Sequence, residues 1–483
     1  MRLPFPARGS SIAAAALLAA LGCGAATAAV REPALGHDVE IEPAELALAR
    51  LDSLQAIVRA EEARVRPSLG VEANWTRLAR AWFQVGDHAK AAKCLERARM
   101  VGAKEFDTAL LSGRIARSEG RFGEAIEWLE RAARMRPDDW EVHEDLGVAL
   151  YLEGRLSRAA DHWERARRLP GSGAPDRTGL IEAMRRAGGQ PYEVSGRGRE
   201  RIGFTPSTSR GPFTVPVRIN GRGPYPFRVD AGSPEVTLTR ALAEQLGLET
   251  IPGGEGRAPG AGAGLAYAAI DSLTLGATTL HRMPVAVTWA QHPDDLRGDV
   301  SGRLGFEALR RFRFCVDPVE RALWLEPLPP AGAPADTARP AWAPAGAVAH
   351  RVPIVLRGTH LLVAYGRLNQ GPERPFLLDV GGSGVALAAP RSTIAEAKIP
   401  LDSTRVLSGS SASGSVRFLG FPIARLCMAG ACRDSLEGGY GTFPARLELN
   451  PSFRLAGIVS GGFLFGYRVG VDLPRREAWL IER

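Results

Sequence analysis

Lysine is nearly absent from this 483-residue chain: Lys90, Lys93, Lys104 and Lys398 are the only four among 61 basic residues. The positive charge is therefore arginine, spread among 53 acids to leave a net charge of +8. No basic block exceeds Arg-Gly-Arg-Glu-Arg at 197–201, and no aromatics are interleaved with it. A nucleic-acid-binding face needs clustered positive charge, so the pattern argues against nucleic acid as a partner. Long apolar runs are missing too. The run from Ile12 to Leu21 is shorter than the ~20 residues that cross a bilayer, and nothing later approaches that length, so no transmembrane segment is expected in the mature chain. The eight histidines, at 37, 88, 143, 162, 281, 292, 350 and 360, fall without metal-ligand spacing, and no His-Glu-x-x-His occurs, so no metal site is expected. There is neither a Gly-x-Ser-x-Gly elbow nor a glycine-rich loop between a strand and a helix, and no cofactor is expected.

What is present is globular. A hydrophobic share of 45% with 24% charge excludes a disordered or collagen-like chain, and the length suits about three domains. Arg2 and Arg8 precede the apolar run, and Ala26-Thr27-Ala28 has the small-residue pattern of a signal-peptidase site. Residues 1–28 therefore read as a signal peptide, and the protein as exported, either periplasmic or lipid-anchored/secreted. Cys23, in Ala-Leu-Gly-Cys, also fits a loose lipoprotein box and is a candidate lipid anchor. Cys427-Met-Ala-Gly-Ala-Cys432 reads as a hairpin turning at Ala429-Gly430, which sets the two cysteines opposite one another where an oxidising compartment could join them. Cys94 and Cys315 sit in apolar patterns and read as buried thiols.

Two different repeats organise the chain. Gly86, Gly120 and Gly154 are spaced 34 residues apart. The same offsets relate Ala79/Gly113/Gly147, Ala91/Ala125/Ala159, Leu95/Leu129/Trp163 and Ala98/Ala132/Ala166. Small residues recur where two helices must approach, larger ones fill the next layer, and glycine breaks the chain between them. The pattern resembles tetratricopeptide repeats, with three helical hairpins over about 72–173 inside a helical domain at 43–190. An amphipathic segment at 43–63 is expected to pack at one end, and 178–187 to cap the other. The resemblance implies protein or peptide partners on the repeats.

The second repeat is longer. Arg218-Ile219-Asn220, Pro226-Phe227 and Asp230 recur 149 residues later as Arg367-Leu368-Asn369, Pro375-Phe376 and Asp379. Gly302, Val316-Asp317 and Trp324-Leu325 recur 155 residues later as Gly457, Val471-Asp472 and Trp479-Leu480. Two homologous β-rich lobes follow, at 202–326 and 348–483, joined by a Pro/Ala-rich connector at 327–347. The expected fold class is multidomain α + β: a helical-repeat array followed by two all-β lobes.

In each lobe an apolar strand runs into Asp-x-Gly: Phe227-Arg228-Val229-Asp230-Ala231-Gly232-Ser233 and Phe376-Leu377-Leu378-Asp379-Val380-Gly381-Gly382-Ser383. Alone the motif means little, since Asp145-Leu146-Gly147 repeats it inside a helix. Its recurrence, with Leu304-Gly305 and Val316-Asp317 downstream, resembles the retropepsin-like aspartic proteases, and the two lobes resemble a pepsin-type enzyme made in one chain. The resemblance covers about 280 of the 483 residues. It implies an aspartic endopeptidase acting on polypeptides, with Asp230 and Asp379 as catalytic residues sharing one proton, because carboxylates about 3 Å apart cannot both ionise. Gly232, Ser233 and Gly381 are expected to support the turns. Gly260–Gly264 and Ser408–Ser415 suit flap tips, or equally solvated loops. The family usually has Thr or Ser after each aspartate; here Ala231 and Val380 stand there, and Val459-Ser460 replaces the second Leu-Gly, where it is expected to crowd Asp379. A second reading follows: an inactive protease-like scaffold that binds peptide.

Overall fold

The computed structural model describes residues 41–67, 69–102, 105–189, 191–196, 198–204, 213–253, 265–288, 300–328, 339–340, 342–382, 384–411, 414–448 and 453–482. The leader, Cys23, Gly260–Gly264, Ser383 and most of the connector lie outside the described residues. The chain is an α + β multidomain protein, a helical-repeat array followed by a mostly β region.

Helix α1 (Ala44–Val65) is followed by the pairs α2 (Glu72–Gln84) and α3 (His88–Val101), α4 (Phe106–Ser118) and α5 (Phe122–Met135), and α6 (Trp140–Glu153) and α7 (Leu156–Arg168), then by α8 (Thr178–Ala187). The turn glycines Gly86, Gly120 and Gly154 have φ of +86°, +72° and +87°, a conformation that side chains resist. The small residues on the first helix of each pair are needed for contact with the second. A Cβ on Gly113 would lie 2.5 Å from Leu129, and one on Gly147 would lie 2.4 Å from Trp163. Ion pairs tie successive repeats together: Arg114 and Arg117 of α4 each reach Asp145 of α6 at 2.6 Å, and Glu144 holds Arg177 at 2.7 Å.

The first lobe is built on an eight-stranded sheet, and a thirteen-stranded sheet runs from the second lobe into the first. The junction is strand Phe312–Asp317 against Arg468–Asp472, antiparallel, with Phe314 opposite Val471 and Cys315 opposite Gly470. Both strands are almost wholly buried, and their charged residues pair across the junction, Arg313 with Asp472 and Arg468 with Asp317, each at 3.1 Å. One sheet thus spans the lobes and holds their relative position. Strand Glu193–Ser195 pairs with Thr278–Thr288, so the first lobe's sheet begins before residue 202. Where described, the connector is anchored rather than simply extended: Trp342 and Ala343 are buried against Cys315, Trp479 and Ile481.

The array lies along both lobes. Gly86 meets Pro375, the Tyr365 hydroxyl donates to the Gly86 carbonyl, and Arg454 N donates to Gln84 O at 2.9 Å. At the other end Arg310 donates to Leu152 O at 2.9 Å and Tyr151 O at 3.2 Å. Helix α8 does more than cap the array, since it packs on the first lobe so closely that a Cβ on Gly179 would lie 2.4 Å from Pro252 O.

Candidate active site

Each aspartate follows the buried end of a strand and is fixed by the neighbouring strand. Strand Arg222–Val229 lies parallel to Gly302–Leu304, and Asp230 N donates to Leu304 O at 3.1 Å. In the second lobe Glu373–Leu378 lies parallel to Ile458–Val459, and Asp379 N donates to Val459 O at 2.9 Å. The two turns meet across the lobes, with Ala231 N donating to Val380 O at 3.2 Å. The main chain makes this link at the positions where the family's hydroxyls are missing. A single point, the site of a Cβ on Gly232, lies 3.3 Å from Asp230 Oδ1 and 3.4 Å from Asp379 Oδ1, so both carboxylates approach the same glycine.

Asp230 accepts from Gly232 N at 3.1 Å and Ser233 Oγ at 2.8 Å, and Arg303 Nη1 lies 3.2 Å from its Oδ2. Burial works to raise its pKa, but Arg303, Arg228, Ser233 and Gly232 together hold it below the usual carboxylate range. Asp379 accepts from Ser460 Oγ at 3.3 Å. Burial and the charge of Asp230 push it up to about 6, against the opposing pull of Arg228, Ser460 and Gly382. The pair therefore prefers one proton between its two carboxyls over an acidic interval, the arrangement that allows one group to accept a proton while the other donates.

Of the residues singled out by sequence, Asp230, Asp379, Gly232 and Ser233 meet at this spot. Gly381 has φ +124°, and a Cβ there would lie 2.4 Å from Val229 O. Cys427 and Cys432 form a disulfide across the hairpin of the second lobe. The strands Val406–Ser411 and Gly414–Met428 form a hairpin at the second candidate flap, whose tip lies outside the described residues. Ser460 corrects one expectation: it does not merely crowd Asp379 but donates to it, as Ser233 does to Asp230.

The roles of four neighbours were not anticipated. Gly382 leaves room for the carboxylate, since a Cβ there would lie 1.8 Å from Asp379 Oδ2. Ser460 and Arg303 sit at the motif that follows each aspartate by some 70 to 80 residues, so the sequence marked their place but not their contacts. His360 arrives from the turn between Ala349–Arg357 and Leu361–Leu368, is 1% exposed, and faces Asp230 and Gly232. Burial lowers its pKa to about 4, despite the opposing influence of those two neighbours. Among the described residues no group of three His, Cys, Asp or Glu side chains is placed to hold a metal ion.

Residues 215–308 match the family model described as aspartyl protease. They form an aspartyl protease domain. The aspartyl protease match contains Asp230 and Arg303 and ends before the second lobe. Residues 76–139 and 110–173 match the tetratricopeptide repeat, so the chain joins these repeats to the protease domain. Among curated proteins none matches. Among solved structures the chain is similar to a crystal structure of MamA at 19% identity, covering 26% of this chain and 70% of that one, with a TM-score of 0.22. It is also similar to YrrB, titled a TPR protein with an unusual peptide-binding site, at 17% identity, over 30% of this chain and 74% of that one, with a TM-score of 0.25. No described helix is long and apolar enough to cross a membrane.

Proposed function

We propose that this protein is an aspartic endopeptidase with one active site, formed by Asp230 and Asp379, and that its helical repeats hold protein substrates or partners beside it. The observation that carries the reading is the approach of both carboxylates to the Gly232 turn, 3.3 and 3.4 Å from the Cβ position of that one glycine. A water held between the two carboxylates loses a proton to the ionised one and attacks the peptide carbonyl, whose oxygen takes the proton of the other carboxyl. The resulting gem-diol collapses as the C–N bond breaks. The nitrogen takes the proton from the first aspartate, and a diol hydroxyl returns one to the second. The products are a carboxylic acid and an amine, and the pair regains its starting state.

Ala231 and Val380, which carry no hydroxyl, favour a second reading in which the lobes bind peptide without cutting it. The main-chain bond from Ala231 to Val380 supports the active reading instead, because it links the two turns without a side chain. The charged and apolar leader supports export to a periplasmic or extracellular compartment, with Cys23 as a candidate anchor.

The test is mass spectrometry of an unfolded protein incubated with the purified enzyme from about pH 3 to 7, the range over which a shared-proton pair changes state. Cleavage with a maximum on the acid side of about pH 6 is the expected result. Binding without any new fragment at every pH would favour the scaffold.

A further inference from the structure

We propose that Arg228 and Arg303 make the two-aspartate site electrically unequal, so that Asp230 is the carboxylate that deprotonates water and Asp379 is the acid that protonates the carbonyl oxygen. The inference rests on the peptidase reading and deepens it by giving each aspartate one role.

The lobes are copies in sequence, yet the arginines belong to only one of them. Arg228 and Arg303 are registered partners on adjacent parallel strands of the first lobe. The equivalent registered pair in the second lobe is Leu377 and Ile458. These identities follow the same 149- and 155-residue offsets that relate the two aspartates and the two strand glycines. Two guanidinium groups side by side repel unless an anion lies near both. Asp230 supplies it: Arg303 Nη1 lies 3.2 Å from its Oδ2, and Arg228 acts on the same carboxylate from the neighbouring strand. Arg228 is buried and donates to Gly381 O at 3.4 Å, so it also grips the turn that carries Asp379.

The groups facing each carboxyl differ accordingly. Asp230 faces Arg303, Arg228, Ser233, Asp379 and His360, and the last is uncharged over most of the acid range. Asp379 faces Asp230, Arg228 and the Ser460 hydroxyl, with an aliphatic side chain at the position of Arg303. A cation in contact stabilises the ionised form, and a neighbouring carboxylate stabilises the protonated one. Repulsion between the carboxylates leaves one proton on the pair, and the Arg303 contact with Asp230 places it on Asp379. In catalysis water gives its proton to Asp230 as Asp379 gives its proton to the carbonyl oxygen. Collapse returns the Asp230 proton to the leaving nitrogen and restores the proton of Asp379 from the diol. Arg303 touches Asp230 and acts through it as a positioning residue.

The deciding experiment is a carboxyl carbon-13 NMR titration of the full chain labelled at aspartate, with Asp230→Asn and Asp379→Asn identifying the two signals by their loss. The expected result is that Asp379 carries the upper titration and Asp230 the lower. Arg303→Ile, which copies the second lobe, should raise the lower titration by at least about 1 unit, and Arg303→Lys should restore most of that shift. An upper titration belonging to Asp230 overturns the proposal, as does an Arg303→Ile protein whose titrations match the wild type. If Arg303→Ile does not fold, the wild-type assignment and the Arg303→Lys titration still decide. The readout needs no turnover, so a protein that shows the expected titrations but cuts no peptide refutes the peptidase reading and leaves the proton assignment standing.

Discussion

At the residue scale, the two aspartates share a pattern but not an environment. The second turn carries one extra glycine, and Gly382 leaves no space for a side chain, with a Cβ position 1.8 Å from Asp379 Oδ2. Gly382→Ala must therefore displace that carboxylate, and kcat for peptide cleavage is expected to fall by about 100-fold or more, because misplacement by ~1 Å costs that much. Ser460→Ala acts differently. Its hydroxyl bonds to Asp379 and favours the ionised form, so removing it raises the carboxyl's pKa above about 6. The alkaline limb of the pH–rate profile should move up by as much as about 1 unit, as read from kcat/KM against pH. The aspartates were legible because a strand ending in Asp-x-Gly recurs. The role of Ser460 was not legible because its counterpart Gly305 is tightly enclosed, a Cβ there lying 2.0 Å from Glu235 O, whereas the Ser460 side chain reaches Asp379. His360 was not legible, since no motif links it to Asp230 and only the packed hairpin brings them together.

At the scale of elements, the 34-residue period carried most of the array, because each repeated small residue answers a larger one on the partner helix. Gly147 faces Trp163 at 2.4 Å from a Cβ position, whereas a Cβ on Gly123 of α5 would meet nothing within 4 Å. Gly147→Val should destabilise the protein by about 1–3 kcal/mol through overpacking. Gly123→Ala should be neutral or stabilising by up to about 1 kcal/mol, since alanine favours helix and meets open space. Chemical denaturation of both variants checks the pair. The strand Thr214–Ile219 and the helix Arg240–Leu246 were readable from alternation and from Gly247, which ends the helix at φ +71°. The docking of α8 on the first lobe was not, because an amphipathic helix shows that it has a partner and not which one.

At the scale of the whole molecule, the repeats are built onto the two β lobes rather than tethered to them. His88, at the start of α3, packs between Phe83 and Phe453 of the second lobe, with ring centroids 4.9 and 4.5 Å away. Burial lowers its pKa to about 4 despite the nearby charge of Asp87. The unfolded chain protonates such a histidine near pH 6.5, so its contribution to stability is complete above that pH and is lost as pH falls toward 4. His88→Phe should gain on the wild type by about 3 kcal/mol between pH 7 and pH 4, measured by denaturant unfolding at the two values. The same continuity bears on assembly. A sheet passing from Phe312–Asp317 to Arg468–Asp472 sets both aspartates in one chain, so no second copy is needed to complete the pair. The most direct measurement is peptide cleavage by Asp230→Asn, by Asp379→Asn and by an equimolar mixture of the two. Loss of cleavage in both variants, unrelieved by mixing, is the expected result. Wild-type turnover by Asp379→Asn would contradict a site shared between the lobes and point to first lobes pairing between chains.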